Sequence, residues 1–248
     1  DGAAPIISGY YSLNGGGKWV PAQPTTDTVT HDLVVLGPSA MFSGTSQYYG
    51  NYTHPITGGD FTIEFWLNST QVAGTADHWE HGMGLVDSSG TVGLGRNDYG
   101  ISLAEGKVLF GVGSITTDAV LVGPFAADGR WHYVAATRRA ADGALKLYLD
   151  GEPVASGAGS TANRWLSSLY IGRSALGSNF YRGQMDEIRL WNTVRAPEEI
   201  RAAFRASPAP TAPGLAAYYR TNEAALPGAS VFTLFDSSPN RNHFTSGA

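Results

Sequence analysis

Cysteine is absent from the 248-residue chain. That excludes thiol catalysis, zinc–thiolate sites and disulfides, and says little about compartment, since many exported bacterial proteins also lack it. Charge is scarce as well: charged residues make up 15%, against a usual quarter. The net charge of −5, with Lys and Arg scattered, leaves no basic footprint for phosphate, so nucleic acid is not expected as a partner. No apolar run approaches the length of a membrane span. Catalytic signatures are missing too: no HExxH metal helix, no phosphate-binding glycine loop, no G-x-S-x-G elbow and no tight E-x-D-x-x-E carboxylate run. The chain opens at Asp1 without Met and without a signal peptide, which fits a mature protein trimmed after export or an engineered boundary.

What the chain does have is turn formers and alternating apolar runs. Its 32 glycines and 13 prolines sit in no low-complexity tract, which points to many short strands reversing direction rather than to disorder. In Phe61-Thr-Ile-Glu-Phe-Trp-Leu67, the side chains of Phe61, Ile63, Phe65 and Leu67 share one face and Thr62 and Glu64 the other. That is the period-two pattern of a half-buried strand. Trp66 breaks the polar face, so that side is expected to be covered or to bind something. Tyr99 to Gly113 reads as two strands hinged at Glu105-Gly106, and Trp131 to Thr137 pairs with Ala144 to Leu149 around Ala141-Asp-Gly143. Asp150-Gly151 then reverses the chain into Glu152 to Ser156, a hairpin signal because Gly accepts positive φ freely. Leu169 to Gly172 and Gln184 to Trp191 supply the last long strands.

One short helix is predicted over 197–204, where Pro197 suits a first helical position and Glu198 and Glu199 favour the N-terminal dipole. Ser207 to Pro213 reads as a stiff connector. Leu215 to Tyr219 reads as a strand that docks on the same body, because an unpaired apolar strand is an aggregation hazard. The alternative is the start of a truncated repeat. The expected class is all-β, a two-sheet antiparallel sandwich, with an N-terminal extension over 1–36, one domain over 37–205 and a docking tail over 206–248.

Four blocks then stand in a telling order: Phe61-Thr-Ile-Glu-Phe-Trp66, Gly129-Arg-Trp-His-Tyr-Val134, Leu145-Lys-Leu-Tyr-Leu-Asp-Gly151 and Gly183-Gln-Met-Asp-Glu-Ile-Arg-Leu-Trp191. Together they resemble the laminin-G-like, pentraxin-like branch of the concanavalin A-like jelly rolls, over roughly Ser39 to Phe204. The resemblance implies a jelly roll. In that family a segment like Leu234 to Phe244, following a strand like Leu215 to Tyr219, usually precedes the sandwich; here both stand at the C-terminal end.

If consecutive strands run antiparallel, loops alternate between the two ends of the sandwich. This places 71–82, 96–99, 114–119, 139–143 and 157–166 at one end, and 88–90, 105–106, 124–130, 150–151 and 173–182 at the other. The first end then gathers Asp77, His78, Trp79 and Glu80 with Arg96, Asn97, Asp98, Tyr99 and Trp165. A sugar needs an aromatic ring for its C–H face and fixed polar groups for its hydroxyls. Trp79 is the first choice for that ring, with Tyr99 and Trp165 as others; each residue taken singly also reads as ordinary loop packing. Trp66, Trp131 and Trp191 lie inside strands and read as core or sheet-face residues.

Asp186 stands on the apolar side of its strand, where a bare carboxylate is costly. Calcium is one remedy, with Asp236, Asn240 and Asn242 as partners in a loop that resembles the family's calcium-binding segment. A hydrogen-bonded Asp beside an Asx-turn loop is the other. The expected function is a secreted, calcium-binding lectin or carbohydrate-binding module, non-catalytic, of undetermined oligomeric state. A polysaccharide-cleaving enzyme and a protein-binding adhesion module are the alternatives.

Overall fold

The computed structural model describes residues 10–11, 20–21, 39–51, 54–88, 97–114, 116, 118–164, 168–221 and 233–247. Apart from two short strands, the 1–36 extension lies outside the described residues, as do Arg96 and Trp165. In chain order the strands are β1 (Tyr10–Tyr11), β2 (Val20–Pro21), β3 (Ala40–Ser43), β4 (Tyr48–Asn51), β5 (Phe61–Asn68), β6 (Met83–Asp87), β7 (Tyr99–Ala104), β8 (Lys107–Val112) and β9 (Ala119–Phe125). After them come β10 (Trp131–Arg138), β11 (Ala144–Leu149), β12 (Glu152–Ala158), β13 (Leu169–Ile171) and β14 (Arg182–Trp191). The helix α1 (Pro197–Ala203) precedes β15 (Leu215–Tyr219), β16 (Thr233–Leu234) and β17 (Phe244–Gly247).

Two antiparallel sheets form the jelly-roll sandwich. The seven-stranded sheet runs β12-β11-β10-β5-β14-β15, with β3 on the same edge of β14 as β15; the eight-stranded sheet runs β16-β17-β4-β13-β6-β7-β8-β9. The alternation read from Phe61 to Leu67 is the inner face: Phe61, Ile63, Phe65 and Leu67 join Val134, Leu147 and Ile188 of one sheet and Ile101, Phe110 and Ile171 of the other in one core. The tail strand β15 pairs with β14, Ile188 opposite Tyr219, and β17 pairs with β4, Thr245 opposite Gly50.

The outer face of the seven-stranded sheet is covered by α1. The helix starts at Pro197, and Glu199 reaches back to accept the Ala196 amide at 2.7 Å. Ile200, Ala203 and Phe204 pack on Trp66, Trp131, Tyr133 and Tyr148, which answers the apolar break at Trp66. Beside this cluster lies a buried ionic network. Glu64 accepts from Arg195 at 2.8 Å and from the Trp191 indole at 3.2 Å, while Arg189 pairs with Glu187 at 2.6 Å. Such a network holds only because each charge meets an opposite charge or a hydrogen bond.

The expected alternation of loops between the two ends fails at one step. It counts a strand between 90 and 96, yet Asp87 of β6 lies directly opposite Gly100 of β7 in an antiparallel ladder. Residues 89–96 lie outside the described residues, but β6 and β7 run in opposite directions, and the segment 71–82 departs from the end that holds the 105–106 and 172–181 turns, as the bond from the Glu105 amide to the Ala73 carbonyl shows.

Candidate functional site

Directly opposed residues of an antiparallel ladder point to the same face. The registers of the eight-stranded sheet put Gly50, Tyr170, Asp87, Gly100, Gly111 and Val120 in one row across β4, β13, β6, β7, β8 and β9. Leu169 and Ile171 point into the core, so this row faces outward. Strands lie about 4.8 Å apart, so Tyr170 and Gly100 are separated by roughly 10 Å on that face.

Two loops lie over this row. Residues 71–82 cross the face and seat Trp79 on the glycines. A Cβ at Gly100 would come within 2.6 Å of the Trp79 ring, and one at Gly111 would overlap it outright. Trp79 is 2% exposed and packs with Ala104 and Leu109. Its ring is therefore an anchor for the loop rather than a free platform, which corrects the expectation that it stacks on sugar. Tyr99 is likewise inside the core at 0% exposure, with its ring 4.7 Å from Phe61 and its hydroxyl 3.1 Å from His54 Nε2.

The loop does carry polar groups to the sheet face. His78 stacks on Trp79 at 4.0 Å between centroids, and its Nε2 lies 3.1 Å from an Asp118 carboxylate oxygen. The Glu80 amide donates to His78 Nδ1 at 3.4 Å, which leaves Nε2 as the protonated nitrogen that donates to Asp118. The Glu80 carboxyl titrates above the ordinary range, first because burial disfavours its charge and then because Asp98, Asp87 and Asp118 lie near. Asp77 is held at about 2 by hydrogen bonds from Thr75 and His81. Asp77, His78, Glu80 and Asp98 do gather on one side of the molecule, though by a loop folded over a face rather than by shared position at an end. Asn97 is half-buried next to them.

The end where the alternation placed these residues is filled by arginines. Arg138 donates to the Gly59, Ser160 and Ala162 carbonyls at 2.6, 2.9 and 2.6 Å. Arg164 donates to Gly113 and Ala162 at 2.5 Å each. Both side chains are buried.

The second covering loop, 172–181, was expected at the end opposite the chosen site. Arg173 of this loop lies with its guanidinium carbon 3.8 Å from the Tyr48 ring centre and 4.2 Å from that of Tyr170. Tyr48 also meets Phe180 at 6.3 Å between centroids, and all four side chains are half-buried. Tyr170 rides over Gly50, where a Cβ would stand 3.1 Å from its ring. The Asn179 amide ties the loop to the first one through the Glu80 carbonyl, at 3.0 Å. Tyr-x-Gly in one strand and Leu-Tyr-Ile in its neighbour were the available signals, legible only once their register is known.

The residues expected to hold calcium do not fit that ion. Asp236 accepts from the Tyr218 and Ser238 amides through one oxygen, and from the Ser238 hydroxyl and Asn242 amide through the other, all at 2.8 Å. Donor hydrogens thus occupy the lone pairs a cation would need. Asn240 and Asn242 turn their amide nitrogens toward Ala216 O, at 3.0 and 3.1 Å. Asp186, with 0% exposure, accepts from Thr221 at 2.5 Å and from the Glu187 amide at 2.8 Å. The hydrogen-bonded alternative describes all four. Among the described residues no group of three or more His, Asp or Glu is disposed to hold a metal, and no helix is long and apolar enough to cross a membrane.

The fold is thus a two-sheet jelly-roll sandwich with loops laid over one sheet face. Residues 43–201 match a laminin G family described as the concanavalin A-like lectin/glucanases superfamily, and the chain belongs to it. It is 25% identical over 157 residues to the rat (Rattus norvegicus) sushi, von Willebrand factor type A, EGF and pentraxin domain-containing protein 1, covering 59% of this chain but 4% of that protein. Among solved structures it resembles a protein of Bacteroides ovatus ATCC 8483 provisionally described as carbohydrate binding. The TM-score there is 0.64 at 18% identity, covering 85% of this chain and 58% of that one. It also resembles the Ruminococcus gnavus IT-sialidase CBM40 bound to alpha2,3 sialyllactose, with a TM-score of 0.53 at 17% identity, over 68% of this chain and 97% of that one. These likenesses show a fold shared with carbohydrate-binding modules.

Proposed function

We propose that the chain is a non-catalytic glycan-binding module whose binding surface is the outer face of the eight-stranded sheet. The observation that carries this reading is that the two loops laid over the row set half-buried Tyr48 and Tyr170 at one side and the His78, Glu80 and Asp98 groups at the other. Tyr170 and Gly100 stand roughly 10 Å apart beneath these loops, a span that suits two sugar residues. An aromatic face with polar groups on both flanks supplies what a saccharide needs. The shared fold with carbohydrate-binding modules supports the same reading. It goes with a location outside the cell, checked by protease shaving of intact cells.

A glycan array followed by calorimetry tests it. Tyr170→Ala should weaken binding by about 1–2 kcal/mol, roughly five- to thirtyfold, with a small change in melting temperature because the ring is only half-buried. Unchanged affinity in Tyr170→Ala, or an array with no bound glycan, defeats the reading.

One observation favours a second reading, glycan cleavage. Glu80 is kept protonated more readily than an ordinary carboxyl and stands near other carboxylates, a division of roles that glycosidases use. Release of reducing ends, lost in Glu80→Gln, would decide for it.

A further inference from the structure

The geometry points to Arg173 as the group that binds an anionic substituent, a carboxylate or a sulfate, of an acidic glycan. This rests on the glycan-binding reading and names the substrate class for the same face.

Several of the other arginines are engaged by partners of their own. Arg139 pairs with Asp142, Arg189 with Glu187, Arg195 with Glu64 and Arg201 with Glu152. Arg138 and Arg164 spend their donors on carbonyls. Arg173 has no carboxylate within ion-pair reach among the described residues, and its Nε is buried without an acceptor. Arg138, Arg189, Arg195 and Arg220 also leave Nε without an acceptor, so what sets Arg173 apart is its place, flanked by two half-buried tyrosines over the outward face of β4 and β13.

Its placement is fixed beforehand. The Arg173 backbone bridges Phe180, and its carbonyl packs against Gly84, where a Cβ would overlap it. The Tyr48 and Tyr170 rings, inclined 64° to each other, flank the guanidinium on two adjacent sides. Its N–H groups on the remaining sides match the paired oxygens of a carboxylate or sulfate. The aromatic walls lower the local dielectric, which strengthens a charge-assisted bond formed there.

The far side of the row sets polarity. Glu80, Asp98 and Asp118 oppose an anion there, while hydroxyls can donate to them. An acidic glycan would therefore lie with its charged residue at Arg173 and its neutral residue toward Glu80.

The test compares sialyllactose, sulfated lactose and oligogalacturonate with lactose and methyl-esterified oligogalacturonate, by calorimetry on the wild-type chain, Arg173→Gln and Arg173→Lys. Wild type should prefer at least one acidic member over its neutral counterpart by about tenfold or more, and that preference should fall as salt rises. Arg173→Gln should abolish the preference, lowering affinity for the acidic members by about tenfold more than for the neutral ones, and Arg173→Lys should retain part of it. Which acidic probe binds distinguishes carboxylate from sulfate. Equal binding of acidic and neutral members by wild type, or an Arg173→Gln variant that loses both alike, overturns the inference while leaving glycan binding standing. A lower melting temperature in Arg173→Gln with the preference intact overturns it too, and makes Arg173 a clamp between β4 and β13. Absence of any bound glycan on a broad array removes the underlying reading instead.

Discussion

Trp79→Ala is the substitution on which the sequence and the structure disagree most. As a sugar platform, the ring would be lost from affinity alone. As an anchor on Gly100 and Gly111, it should be lost from stability. A buried Trp removes about 150–250 Å² from water, which at about 25 cal/mol per Å² is an upper bound of about 4–6 kcal/mol. The ring packs in a satellite cluster with Ala104 and Leu109 rather than in the main core, so the 71–82 loop can partly collapse into the space. The expected loss is about 3 kcal/mol, at the low end for Trp→Ala. Equilibrium urea unfolding reads it as a lower midpoint at an unchanged slope. A second arm isolates the cause. Gly111→Ala places a methyl inside the Trp79 ring, so it should destabilise wild type and be neutral or mildly stabilising, by about 0.5–1 kcal/mol, once Trp79 is Ala. A loss below about 1 kcal/mol for Trp79→Ala, or additive effects in the double variant, would refute the anchoring argument.

Deleting 206–248 removes β15 from one sheet and β17 from the other; the melting temperature should fall by more than about 10 °C, at about 2–4 °C per kcal/mol for a chain of this size, and an unchanged calorimetric transition would count against it. Chelator should leave the melting temperature unchanged, whereas Asp236→Ala, which frees the Tyr218, Ser238 and Asn242 donors, should lower stability by about 2–4 kcal/mol; a chelator-sensitive transition reverses that account. Two histidines should give opposite pH dependences, read by NMR titration and by urea midpoints against pH. His132 is pulled down by burial but raised overall by Asp150 and Asp128, so its contribution is full below about pH 6.5 and fades as pH rises through its folded value; His132→Gln should remove that slope. Burial pushes His54 down to about 4, so the stability it allows is full above about pH 6.5 and declines as pH drops toward 4. Histidines titrating in the reverse order would refute both.

Much of the sandwich was legible because its signals are local. The alternation from Phe61 to Leu67, the Asp150-Gly151 turn and Pro197 with Glu198 and Glu199 each state their own structure within a few residues. The site was harder for a physical reason. Its row joins Gly50, Tyr170, Asp87 and Gly100, which are brought side by side by ladder register and by nothing in their local patterns. The direction of β7 relative to β6, fixed only by their ladder, reversed the expected side of the 71–82 loop. Glycines read as turn formers proved in two cases, Gly100 and Gly111, to be the bed for an indole. The Asp236 loop shows the same limit: its oxygens look free in sequence, and only the fold reveals the amides that use them.

Folding during synthesis is constrained by the edge of β14. Two strands share that edge, β3 from before the sandwich and β15 from after it, and β4 waits for β17 across roughly two hundred intervening residues. On a ribosome adding roughly 5–20 residues per second, β4 would be made some tens of seconds before its partner emerges. Through that interval one side of β4 offers unpaired amides and carbonyls to any passing strand. A nascent chain of this kind should therefore depend on holdase capacity between the synthesis of β4 and that of β17, and slowing elongation over the codons for 206–247 should cost more soluble yield than slowing it before β4 is made.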